Sequence, residues 1–134
     1  MNKTILTIVI YVFGLFAVAT ALLAIIGGPG AEIGGKPAVA SVDSQFRYVN
    51  VFWLAAGLIL WWTARKPLER AMVTRTILVI AAIAGLARLI SLVAVGLPAP
   101  FYWLTFVLEV IVTPLVVLWH SRTFPVARQV AAAK

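Results

Sequence analysis

The stretch that decides the fold is residues 77–118, with the sequence ILVIAAIAGLARLISLVAVGLPAPFYWLTFVLEVIVTPLVVL. Two apolar runs flank a turn rich in glycine and proline, and they carry one charge each, Arg88 and Glu109. Each charge lies eight residues from its own edge of the turn. At about 1.5 Å of rise per helical residue, both lie roughly 12 Å from the turn. The stretch therefore predicts a transmembrane hairpin whose opposite charges share one depth and pair.

The composition is that of a membrane protein. The chain has 134 residues, is 63% hydrophobic with a mean hydropathy of +1.08, and carries only 11% charged residues, against about 25% in soluble domains. Its net charge is +7, but the basic residues cluster beside apolar runs, which predicts contact with a lipid bilayer and not with nucleic acid. The absence of cysteine excludes disulfides and thiolate catalysis.

Four apolar runs have the length of membrane spans, which need about 20 residues each. They predict an all-α, integral membrane four-helix bundle in up-down-up-down order, forming a single domain over residues 1–134. The predicted helices are 5–26, 46–63, 76–95 and 101–119.

The basic residues predict the orientation. Eight lysines and arginines fall on one side of the four runs and two on the other, with Arg88 inside a run. By the positive-inside rule, both termini and a basic tail at 120–134 are cytoplasmic, and the protein lies in the inner (plasma) membrane. The first run continues past the cleavage-like Ala19-Thr20-Ala21, so we expect a retained helix and not a signal peptide.

A glycine-rich connector joins the first two runs over residues 27–45. It lacks the preceding strand and the following Gly-Lys-Ser/Thr of a phosphate-binding loop. At its end Asp43 is expected to cap the second helix and to pair with Arg47 one turn later, with Asn50 following on the same side.

Small residues recur at steps of three and four along the first run, at Gly14, Ala17, Ala21 and Ala24. Such a stripe forms one helix face on which another helix can approach closely. We therefore expect this face to serve self-association or contact with another membrane protein.

Polar residues concentrate in the predicted outer half of the bundle. They are Arg47 and Asn50 on the second helix, Arg88 and Ser91 on the third, and Tyr102, Thr105 and Glu109 on the fourth. One interpretation is a buried network that fixes helix pairing, since a lone charge in lipid costs a few kcal/mol. The other is an outward-facing pocket in which an arginine binds an anionic or carbonyl group and Glu109 exchanges a proton. Pro114 is expected to bend the fourth helix beside Glu109.

The sequence gives little support for metal binding or catalysis. One histidine and four scattered carboxylates offer no metal site, and no cofactor or catalytic motif is present. Ser91 and His120 are predicted near opposite membrane faces, which rules out a serine triad. We interpret His120, beside Trp119, as a solvated interfacial residue.

Four sequence features suggest a family. They are Asp43-Ser44-Gln45-Phe46-Arg47-Tyr48, then Gly57, the run from Gly85 through Arg88 to Ser91, and Glu109 ahead of Pro114. From the first helix to about Trp119, the chain resembles the small bacterial membrane proteins of domain of unknown function 4345. The resemblance implies a four-helix fold and brings no activity with it. A looser likeness to DoxX-type proteins concerns size and helix number alone.

Three functional hypotheses remain open at this point. The first is an accessory or structural membrane protein, or a small subunit that meets other membrane proteins. The alternative is a binder or carrier of a small apolar molecule with an acidic or carbonyl head, held by Arg47, Arg88 and Glu109. The least favoured is a small membrane enzyme with Glu109 as acid or base near Tyr102, because no activated nucleophile accompanies it.

Overall fold

A computed structural model of the protein describes residues 2–125, and every regular element in that range is helical. This confirms the predicted all-α class. The last residues of the predicted basic tail, 126–134, lie outside the described range. The long helices are α1 (Lys3–Gly27), α2 (Ala40–Ala64), α3 (Ala71–Val95) and α4 (Pro100–Thr123), with a short 3₁₀ turn at Pro29–Ala31.

Three of these helices, α1, α3 and α4, are long and apolar enough to cross a membrane. Helix α2 does not belong to this group among the described residues, and its first half carries Asp43, Arg47 and Asn50. The chain therefore has the helices of a membrane protein.

Helix α2 begins earlier than the sequence predicted, at Ala40 and not near residue 46. The backbone N–H groups of Val42 and Asp43 already bond to the carbonyl of Val39. Asp43 therefore lies in the first turn of the helix, so the prediction that it caps the helix was wrong. The apolar run marks the part of a helix that suits lipid, and the backbone helix extends beyond it wherever no glycine or proline intervenes.

The chain forms two compact units. One is Ile8–Trp62, which contains most of α1 together with α2. The other joins the described residues before Ile8 to those from Thr63 to residue 125, and it contains α3 and α4.

In the first unit, two glycines bring α1 and α2 into close contact. A Cβ on Gly57 would lie 2.8 Å from the carbonyl oxygen of Gly14, and a Cβ on Gly14 would lie 2.6 Å from Cδ1 of Trp61. The indole N–H of Trp61 donates to the carbonyl of Tyr11 at 3.0 Å, and that of Trp53 donates to Oγ1 of Thr20 at 3.0 Å.

The small-residue face of α1 is therefore occupied by the chain itself. Ala17, Ala21 and Ala24 are all buried, and Gly14 packs against Gly57. Self-association or contact with another membrane protein through this face stays a prediction.

We expect Gly57→Ala to lower the melting temperature of the protein. The added methyl group would meet backbone atoms of Gly14 and Val18, at 2.8 and 3.0 Å, which cannot move independently of α1. Overpacking of this kind costs about 1–3 kcal/mol, more than the gain of at most about 1 kcal/mol from replacing a helical glycine.

Thermal unfolding of the purified protein in mild detergent measures this effect. Gly30→Ala is the matched control, because the atom nearest to its Cβ lies at 3.6 Å, an ordinary contact. Equal melting temperatures for the two variants would show that the glycine contact is not tight.

Candidate functional site

The centre of the candidate site is the ion pair between Arg88 on α3 and Glu109 on α4. Nε of Arg88 donates to Oε2 of Glu109 at 2.6 Å, and Nη2 donates to Oε1 at 2.9 Å. Both carboxylate oxygens are therefore bound by one guanidinium, the geometry that gives the strongest arginine pairs. The Glu109 side chain is 16% exposed and that of Arg88 is 43% exposed.

Gly85 allows the two helices to come close enough for this pair. It is buried one turn before Arg88, and a Cβ there would lie 2.5 Å from Cβ of Glu109 and 3.1 Å from Cγ2 of Val110. Any other residue at this position would push the backbone of α4 away from α3.

Glu109 lies in a turn of π-helix, Leu108–Val112, within α4. The backbone N–H and the hydroxyl of Thr113 both donate to the carbonyl of Leu108, the hydroxyl at 2.8 Å. The next residue, Pro114, has no N–H to donate and its ring clashes with an α-helical carbonyl, which gives the wider turn a local cause. The sequence predicted a bend here, and the structure has a turn of π-helix just before the proline.

A cavity of about 120 Å³ lies beside the ion pair, between the end of α3 and the start of α4. Arg88 lines it, and the guanidinium carbon is 5.9 Å from the centre of the Tyr102 ring, within the range of cation–π attraction. The remaining lining is mostly apolar. The lining residues are Arg88, Leu89, Ser91, Leu92, Gly96, Pro98, Tyr102, Trp103 and Phe106.

The structure thus brings Arg88, Ser91 and Tyr102 together around one cavity, with Glu109 attached through Arg88. Thr105 does not line it, because its buried hydroxyl donates to the carbonyl of Tyr102 in its own helix at 2.9 Å. The apolar wall was missed by sequence analysis. The feature of the sequence that indicates this wall is the aromatic cluster at the start of α4. Aromatic residues at that place are explained equally well as anchors at the membrane interface.

Arg47 and Asn50 belong to the other unit, where Arg47 contacts the end of α1. Its guanidinium pairs with Asp43 (Nε to Oδ2, 2.7 Å) and donates through Nη1 to the carbonyls of Ile25 and Ile26 at 2.6 and 2.9 Å. These are the contacts of a helix cap. Asn50 donates to the carbonyl of Phe46 at 2.8 Å. That Arg47 and Asn50 share a pocket with Arg88 stays a prediction.

The Arg47 guanidinium, hydrogen-bonded to Asp43, holds the pKa of that carboxyl below its usual range. Asp43 precedes the predicted span at 46–63. The stabilisation that this shift contributes is present above the usual pKa of an aspartate and is lost as the pH falls through the lowered value.

We expect Arg47→Lys to lower the melting temperature, because one ammonium group cannot reproduce the fork that reaches Asp43 and two carbonyls at once. Melting in detergent at neutral and acidic pH measures the effect, and the variant should lose less on acidification than the parent protein. Arg65→Lys, at an exposed position after α2, is the control. Equal melting of both variants would contradict a capping role.

His120 is buried, so its interpretation as a solvated interfacial residue was wrong. Nε of Arg75 donates to Nδ1 of His120 at 3.4 Å, and the same guanidinium donates to the carbonyl of Phe124. The rings of His120 and Phe124 are 5.1 Å apart. This cluster closes the end of the second unit away from the cavity. Within residues 2–125, no group of three or more potential ligands could hold a metal ion.

Long apolar helices and a charge pair inside two of them define a helical membrane protein. Residues 5–120 match the family model described as Domain of unknown function (DUF4345), and the chain belongs to this family. The match covers α1 through most of α4 and includes Arg88, Glu109 and the cavity. No curated protein and no solved structure matches the chain significantly. The looser DoxX likeness stays a prediction.

Proposed function

We propose that the protein crosses the cell's inner membrane four times, in up-down-up-down order, with both termini in the cytoplasm. Three helices have the length and hydropathy of spans, and α2 has 25 residues, enough to cross with its ends outside the hydrocarbon. The distribution of lysine and arginine supports the orientation.

The absence of native cysteine makes this topology testable by single-cysteine labelling. A membrane-impermeant maleimide applied to spheroplasts should label Lys36→Cys, in the connector between α1 and α2. It should label Arg65→Cys, between α2 and α3, only after the membrane is permeabilised. The reverse pattern would overturn the orientation, and labelling of both without permeabilisation would overturn a spanning α2.

The function that the geometry supports best is the binding of a small apolar molecule with an acidic or carbonyl head. One observation carries this proposal: a cavity of about 120 Å³ with largely apolar walls is lined by Arg88, whose guanidinium carbon lies 5.9 Å from the centre of the ring of Tyr102, another lining residue. Pockets for small ligands commonly combine apolar walls with a few polar groups that fix the orientation. The guanidinium provides forked donors that suit a carboxylate or a carbonyl oxygen.

Binding is better supported than catalysis. Both oxygens of Glu109 are engaged in hydrogen bonds from Arg88. Neither a nucleophile beside a base nor a cofactor motif accompanies the pair.

The test is purification of the tagged full-length protein from its native membrane in mild detergent, followed by mass spectrometry of bound small molecules. We expect one recurrent amphipathic molecule with the parent protein. Ser91→Phe should lose it, because a large ring at this lining position takes up space in the cavity. Arg65→Ala is the matched control and should retain it. Equal retention by Ser91→Phe would overturn the proposal, and so would a parent protein that neither carries a bound molecule nor binds an added acid with an apolar body.

A second candidate is the accessory role, in which the protein meets another membrane protein. The observation in its favour is the 43% exposure of the Arg88 side chain. A charge that faces lipid is costly, and a polar group from a second transmembrane segment would remove that cost. The same purification tests it, since a stoichiometric protein partner that is lost in Arg88→Ala and kept in Ser91→Phe would favour this role over ligand binding.

A further inference from the structure

We propose that the cavity binds a monocarboxylic acid with an apolar body, and that one proton from bulk solution is taken up with each carboxylate bound. The inference rests on the proposed ligand-binding function. It goes further by naming the ligand class and by linking occupancy to pH.

The first step is the charge of the site before a ligand enters. Arg88 and Glu109 sum to zero, and both oxygens of the carboxylate are held by the guanidinium. The other cations of α3 and α4 are Arg75 and Arg122, at the ends of these helices away from the cavity. Arg75 is engaged there with His120 and Phe124.

The titratable groups of α4 do not change this balance. Besides Glu109 they are Tyr102, which lines the cavity and whose phenol cannot carry a positive charge, and His120, which lies at the far end with Arg75. Neither α3 nor α4 therefore supplies a second positive charge for a second carboxylate.

The second step is the arrival of the ligand. A carboxylate that binds Arg88 from the cavity leaves one guanidinium to serve two carboxylates, with a net charge of −1. Glu109 is only 16% exposed, so water screens their repulsion poorly. Two carboxylates in such a site behave as a coupled pair that holds one proton between them. A single proton taken from bulk solution restores a net charge of zero, and no bond other than that to the proton is made or broken.

The volume of the cavity limits the size of the ligand. A volume of about 120 Å³ is similar to that of an engineered cavity of about 150 Å³ that binds benzene. This admits a short acid, or the head and first carbons of a longer one. The apolar walls formed by Leu89, Leu92 and Phe106 suit the methylene groups of either. The shared chemistry is a carboxyl group on an apolar chain, supplied from the aqueous side or from the bilayer.

Isothermal titration calorimetry tests the inference on the full-length protein in nanodiscs of zwitterionic lipid, with empty nanodiscs as the blank. Butyrate and laurate are the two probes, each titrated in two buffers of different ionisation enthalpy. The dependence of the heat on the buffer gives the number of protons taken up. We expect one proton per carboxylate bound, and an affinity that falls about tenfold per pH unit above neutrality.

The two probes separate the sources of the ligand. Binding of butyrate supports a short acid from the aqueous side, and binding of laurate alone supports a fatty acid from the bilayer. Glu109→Gln, which removes the second carboxylate, should bind the same probe without proton uptake and with an affinity independent of pH. The proton count on the parent protein is decisive by itself if this variant does not fold.

Failure of this inference is distinguishable from failure of the proposed function. Binding of either acid without proton uptake would overturn the inference and leave ligand binding in place. The same conclusion would follow if neither acid bound and the parent protein carried a native ligand of another chemical class that Ser91→Phe loses. Absence of both a recovered ligand and acid binding would overturn the inference and the proposed function together.

Discussion

Glu109→Ala is expected to lower the free energy of unfolding by about 3 kcal/mol and to reduce sharply the yield of folded protein. The reason is that Arg88 stays behind within an apolar helix, and a guanidinium does not release its proton under any ordinary condition. Removing one partner of a desolvated ion pair costs about 3–5 kcal/mol because the other charge is left uncompensated. Denaturant titration of the purified protein in detergent, followed by tryptophan fluorescence, measures the loss.

The reciprocal variant, Arg88→Ala, should behave differently. Glu109 then lacks its guanidinium, but a carboxylate can accept a proton and become neutral. We therefore expect its destabilisation to shrink already on mild acidification, whereas that of Glu109→Ala should persist over the same pH range. The difference between the two pH profiles identifies uncompensated charge, and not lost packing, as the cause.

The double variant Arg88→Ala/Glu109→Ala is the decisive control. With both charges gone, no charge is left in the apolar helices, and much of the stability of the parent protein should return. A double variant as unstable as the sum of the single variants would show that the two side chains act independently. The ion pair would then not be what holds this part of the site together.

The pairing of Arg88 with Glu109 was predictable because it follows from local geometry. Equal spacing from one turn places two residues at one depth when both runs are helical, and a charge in an apolar run needs a partner. The π turn was not predictable to the same degree. Pro114 shows that one backbone hydrogen bond of the helix is missing. A bend, a kink or an added residue in the turn can each accommodate that loss, so the sequence does not predict which of them forms.

The contacts of α1 with α2 were less predictable than the ion pair. The small residues of α1 show that another backbone approaches closely, but not whose backbone it is, and the chain supplies Gly57 for this contact. Likewise the polar character of Arg47 was visible. Its guanidinium reaches the carbonyl groups at the end of α1 only because of the way the connector folds back. No periodic pattern in the sequence encodes that fold.

Gly85→Val is expected to cost about 2–3 kcal/mol of unfolding free energy and to weaken the binding site. The new Cβ would lie 2.5 Å from Cβ of Glu109, where ordinary contact begins near 3.4 Å. Because both atoms are fixed to their backbones, no side-chain rotation relieves the overlap, and overpacking of this kind is destabilising. The same denaturant titration measures the loss, and Ala87→Val, at an exposed position on the same helix, is the matched control.

A second effect of Gly85→Val tests whether the cavity, as well as the stability of the protein, depends on the close approach of the two helices. Relief of the overlap requires α3 and the π turn to move apart, which lengthens the 2.6 and 2.9 Å hydrogen bonds between Arg88 and Glu109. The cavity lies along the same two helices, so the ligand binding that we propose should weaken even in the fraction that stays folded, whereas Ala87→Val should leave it unchanged. A folded Gly85→Val protein with unchanged affinity would mean that the close approach at Gly85 serves stability alone, and that the cavity does not depend on the ion pair beside it.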